Sequence, residues 1–191
     1  MILLLSSIGW GLFAAGAITH AVHATRLSEL LGLHFAGARR LAPVLIAVEA
    51  LIAITLPIAY FADLGVLLAL AAAVAFVVAA AFTAWVTRLL LTDSQLPCAC
   101  SFSSAPTSQW SVIRSAGCLF AALFPLATSA STGIGIATLL TGGAVAVAVF
   151  VLPDAMSWPA HAKYFSDAVQ QSAGTTSPVS ITPNPPGAGI R

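Results

Sequence analysis

Apolar and polar positions do not alternate finely along this chain; they fall into long blocks. Uninterrupted apolar runs occupy about residues 2–22 (ILLLSSIGWGLFAAGAITHAV), 41–61 (LAPVLIAVEALIAITLPIAYF) and 65–87 (GVLLALAAAVAFVVAAAFTAWVT). A still longer apolar tract reaches from Val112 to Leu152. A hydrocarbon core of about 30 Å is crossed by roughly 20 residues of helix, so each of the first three runs predicts one membrane-spanning helix. The last tract is too long for one crossing. Its Ser, Thr and Gly cluster at residues 129–135 (SASTGIG) predicts a turn, leaving helices over 112–128 and 134–152. The expected fold is therefore all-α, a polytopic membrane bundle of five transmembrane helices, or of four if the final tract is re-entrant. Residues 1–152 form the transmembrane domain, with a polar loop at 92–111. Residues 153–191, rich in Pro, Ser and Gly, carry no hydrophobic period and are expected to form a flexible tail.

Composition narrows the class further. Hydrophobic residues make up 59% of the chain and charged residues only 7%, with a mean hydropathy of +1.00. Soluble domains devote about a quarter of their residues to charge. A net charge of +1 without basic clusters gives no footing for nucleic-acid binding. The first apolar run has no basic segment ahead of it, so it is expected to be retained as a span and not removed as a signal peptide. Gly11, Ala15 and Gly16 would let a neighbouring helix approach it closely.

The basic residues set an orientation. Arg26, Arg39 and Arg40 follow the first run, Arg88 and Arg114 flank the polar loop, and Lys163 and Arg191 follow the last run. With five spans all seven fall on one side, which the positive-inside rule makes cytoplasmic, with the N-terminus outside. The expected location is the cell membrane.

Two of the three cysteines, Cys98 and Cys100, stand in the polar loop as PCACSF, where there is no apolar core for a thiol to fill. Two residues separated by one can bridge only through a restricted backbone, because a disulfide needs Cα atoms about 4.4–6.8 Å apart. A strained disulfide is readily reduced and suits exchange better than permanent bracing. Thr107 or Ser108 is expected to cap the following helix. Its N-terminus and Arg114 would both favour the thiolate, the nucleophilic form. One cysteine would attack a partner disulfide and the other would resolve the mixed disulfide. Two other readings stand beside exchange. The cysteines are incidental in a non-enzymatic scaffold or assembly subunit, or they handle Cu(I) as a pair of soft ligands. A closed zinc site wants four ligands, and His20, His23, His34 and His161 show no ligand spacing that would complete one. Cys118, inside the fourth helix, reads as a small hydrophobe.

Glu49 lies near the middle of the second run and is the one acidic residue deep in any of them. Left ionised and unpaired it would cost several kcal/mol, so it must be protonated, hydrogen-bonded or paired. His20 and Arg114 are the candidate partners. The roles open to it are a packing hydrogen bond, a proton relay or part of an interior site. Trp85, Phe102 and Trp110 gather near the membrane surface that carries the cysteines. Aromatic residues favour that depth in any membrane protein. The same three are the candidates for holding a quinone, the one cofactor considered.

Taken together, VEALIAI with Glu49, FTAWVTR ending at Arg88, the loop PCACSF and QWSVIR with Arg114 resemble the MauE family, the methylamine utilisation membrane proteins related to DoxX-like proteins. The similarity covers roughly residues 1–150. It implies a multi-pass membrane protein that supports maturation of methylamine dehydrogenase in company with a thioredoxin-like partner. Carried over by position, Cys98 and Cys100 are the redox pair, and Glu49 and Arg114 the accompanying polar residues. The family loop reads CGCFG. Here Ala99 stands between the cysteines, Ser101 separates the second from Phe102, and His20 replaces a Lys common near the end of the first helix.

Overall fold

The structure, a computed structural model, describes residues 1–34, 37–92, 108–128 and 135–152. It is an all-α polytopic membrane bundle. The spans begin with α1 (Ile2–Val22), α3 (Ala42–Phe61, entered through a 3₁₀ turn at Ala38–Leu41) and α4 (Gly65–Leu91). The fourth is composite: α5 (Gln109–Gly117), a 3₁₀ segment (Cys118–Leu123) and α6 (Phe124–Thr128). These four are long and apolar enough to cross a membrane. The expected fifth helix is shorter. α7 (Ile136–Ala146) runs on into a π-helical turn to Val151, and its apolar stretch, Ile136–Val149, falls below the length of the other four.

One helix was not anticipated. α2 (Ala24–His34) occupies the connection between the first two spans and buries Leu27 against Ala42, with Leu31, Leu45 and Ile46 packed around them. Its Thr25, Arg26, Ser28 and Glu29 make it too polar to register as a span, although leucines at 27, 30 and 31 already repeat with helical spacing. Such a helix suits the membrane interface.

The packing rule inside the bundle is size more than polarity. On α4 the buried positions Leu68, Ala71, Ala72, Ala75 and Ala79 recur at intervals of three and four, whereas Val66, Leu70, Val74, Phe76 and Val77 are exposed. Lipid tails are as apolar as leucine, so helix association draws on close packing, and small residues allow it. The tightest approach is made by α1. A Cβ at Gly9 would overlap the backbone nitrogen of Ala121, and one at Gly11 would lie 2.8 Å from the Gly143 Cα.

Two prolines shape the spans. Pro57 lies inside α3 and lacks the N–H that would bond the carbonyl of Ala53 one turn back. The indole Nε1–H of Trp10 on α1 donates to that carbonyl instead, at 2.7 Å. Pro125 likewise cannot serve Ala121, whose carbonyl accepts from the Phe124 N–H in a three-residue step. That shortened bond belongs to the 3₁₀ tightening of the fourth span. At the opposite end of the bundle, Asp63 makes the tight turn between α3 and α4 with φ of 53°, a left-handed conformation that Asp and Asn tolerate better than most residues.

Candidate functional site

Following the chain through its antiparallel crossings, the C-terminal ends of α1 and α4 and the N-terminal ends of α3 and α5 share one face of the membrane. The polar groups of the interior gather in that half of the bundle. His20 comes from the last turn of α1, Glu49 from the N-terminal half of α3, and Arg114 and Ser115 from α5. All four are buried, with Glu49 5% and Arg114 4% exposed. His20 Nδ1 lies 2.7 Å from Glu49 Oε2, so of the two partners weighed for the carboxylate, His20 is hydrogen-bonded to it directly.

Arg114 is turned into the bundle interior. It lines the same interior cavity as His20 and Glu49, together with Leu12, Phe13 and Cys118. The reason lies in the local fold. Ser108 caps α5 in a reciprocal capping box with Ser111, so the helix starts at Gln109, one turn ahead of the hydrophobic onset at Val112. Arg114 is then already within the second turn and turned inward. Cys118 sits where α5 gives way to the 3₁₀ segment, its thiol donating to the Arg114 carbonyl at 3.7 Å. This is the packing of a small, weakly polar core residue.

The cavity has a volume of about 50 Å³. At roughly 10–15 Å³ per water, that is room for roughly three to five waters. Gly16 lies against the carboxylate, since a Cβ there would stand in van der Waals contact with both Glu49 oxygens at 3.7 Å. The sequence marked Gly16 only as a close-packing residue and did not mark Ser115 or Phe82; they come together only where four helices converge.

The cysteine pair, Cys98 and Cys100, lies outside the described residues, as do Phe102, the turn residues 129–134 and the tail from 153. The connection that carries the pair leaves α4 after Thr92 and re-enters at Ser108, both on the face above the cavity. Trp85 on α4 and Trp110 in the first turn of α5 stand toward that face and do not line the cavity. Among the described residues no group of three or more His, Cys, Asp or Glu side chains is placed to hold a metal ion.

A bundle of apolar helices closed around a buried acid, imidazole and guanidinium defines a multi-pass membrane protein with a polar interior site. Its family is definite. Residues 1–128, about two thirds of the chain, match the family described as methylamine utilisation protein MauE, and the chain belongs to that family. The match takes in the four long spans and the cysteine loop and stops short of α7. No curated protein and no solved structure matches the chain.

Proposed function

We propose that the protein supports thiol–disulfide exchange at the membrane through Cys98 and Cys100, serving the maturation of a partner such as methylamine dehydrogenase alongside a thioredoxin-like protein. The observation that carries the reading is positional. A CxC pair stands in the connection between two spans that both descend into a buried polar cluster of Glu49, His20 and Arg114. In the exchange, one cysteine attacks a sulfur of the partner's disulfide as thiolate, and the partner's other sulfur leaves as a thiolate and takes up a proton. The second cysteine then displaces the partner from the mixed disulfide. The pair is oxidised, the partner is reduced by the same two electrons, and the reverse sequence delivers a disulfide. Ser108 and the first turn of α5 end the loop with a helix N-terminus, whose partial positive charge favours thiolate.

The basic residues Arg26, Arg39, Arg40 and Arg88 belong to the membrane face that carries this loop, which supports a cytoplasmic assignment in the cell membrane. Differential alkylation in intact cells with one membrane-permeant and one impermeant thiol reagent, read by mass spectrometry, tests the proposal. A pair that is partly oxidised and shifts with added reductant is the expected result, with protection from the impermeant reagent if the loop faces inward. Two thiols that stay reduced and unreactive would leave the scaffold reading, in which the cysteines are incidental.

A further inference from the structure

We propose that the His20–Glu49 pair is a proton-binding site within the membrane, served by water in the cavity that it lines. The inference goes beyond exchange at the cysteine loop, since it needs no thiol.

It begins from satisfaction of the imidazole. A histidine has two ring nitrogens, and the hydrogen bond at one fixes the state of the other. With Glu49 ionised, its oxygens can only accept, so the Nδ1–H of His20 donates to Oε2 at 2.7 Å. That leaves Nε2 as the acceptor. No described residue bonds it. Buried polar atoms are nearly always paired with protein or with water, and the cavity beside His20 has room for water. A carboxylate that orients an imidazole through Nδ1 and leaves Nε2 facing a proton source is the arrangement by which a histidine acts as a general base.

Charge decides what the pair can hold. Among the described residues that line the cavity, the groups facing it are Arg114 and the Ser115 hydroxyl from α5 and the Cys118 thiol at the start of the 3₁₀ segment, whereas α4 contributes only Ala79 and Phe82. Arg114 keeps its proton at any accessible pH. Among these groups, Arg114 and an ionised Glu49 sum to zero while His20 is neutral. A proton delivered from cavity water to Nε2 converts the imidazole to imidazolium. The new charge faces the Glu49 carboxylate directly, and the cluster as a whole becomes singly positive. Release returns the proton to water along the same route. The site thus has two states that differ by one proton and one charge.

The test is nitrogen-15 NMR of the imidazole in the full chain reconstituted in lipid nanodiscs. Replacing His23, His34 and His161 by Gln leaves His20 as the sole signal. Between about pH 5 and pH 8, the range over which imidazoles ordinarily change charge, His20 is expected to pass from the doubly protonated form to a single neutral tautomer protonated at Nδ1. In E49Q both neutral tautomers are expected, because an amide can donate or accept, whereas E49D keeps the single tautomer. A His20 that holds one protonation state across the range, or a tautomer indifferent to E49Q, would overturn the proposal. Repeating the titration in a C98S/C100S chain separates the two readings. Proton binding there is expected to be unchanged even though exchange at the loop is abolished.

Discussion

Pro57 removes one hydrogen-bond donor from the middle of a membrane-spanning helix, and the indole of Trp10 supplies another. Water cannot serve a stranded carbonyl in the hydrocarbon region, so the pairing fastens α1 to α3 at a defined height. Trp10→Phe keeps most of the ring and deletes the donor. It should cost about 1–3 kcal/mol, the penalty for an unsatisfied buried polar group, read as a lowered unfolding temperature in detergent. Pro57→Ala restores a donor within α3, so Trp10→Phe should cost measurably less in that background. Equal costs in both backgrounds would show that the indole bond is not what the tryptophan contributes. This pairing was not legible in the sequence. Trp10 and Pro57 each have an ordinary explanation alone, and only the docking of two helices shows that one answers the other. Glu49 was half legible: its depth in an apolar run announced a partner, and both candidates were identified. The choice between His20 and Arg114 depended on how α1 rotates against α3, which hydropathy does not encode.

Among the elements, what the sequence revealed and what it concealed have one cause. Runs of about 20 apolar residues announce spans because the bilayer demands that length. The apolar run of the fourth span begins only at Val112, but Ser108, one of the two capping residues read from the sequence, is where the backbone begins its helix. Gly11 was legible as a place of close helix approach, and it meets Gly143 of α7, but the partner was not legible and neither was the role of Gly9. Gly9 is the sharpest case: its missing side chain is occupied by the backbone of Phe120 and Ala121, which cannot rotate away. Gly9→Ala should push α1 from the 3₁₀ segment and cost about 1–3 kcal/mol, the range for overpacking a filled interior. Gly65→Ala is the matched control, since a Cβ there meets nothing within 4 Å. A thermal comparison of the two variants in the same detergent distinguishes contact from a general loss of glycine, and equal shifts would remove the special standing of Gly9.

For the whole molecule, the path of the chain places two exposed positions on opposite sides of the membrane. Thr25 lies in the first turn of α2, on the face that carries the cysteine loop, and Asp63 lies in the α3–α4 turn at the far end. Thr25→Cys and Asp63→Cys, each in a chain whose native cysteines are replaced by Ser, should be labelled from opposite sides by an impermeant maleimide. Labelling of both from the same side would contradict the crossing order of α1 and α3. The buried cluster also carries a schedule. Ribosomes deliver this chain from its N-terminus, and His20, Glu49 and Arg114 lie on the first, second and fourth of its long spans. Glu49 therefore enters the bilayer after the imidazole that will hold it, and Arg114 enters last, when the carboxylate is already in place. Trp10 likewise precedes the carbonyl that Pro57 strands. The first helix is in this sense a template awaiting its successors, and a nascent chain deprived of it would meet the membrane with an acid and an open carbonyl and no answer to either.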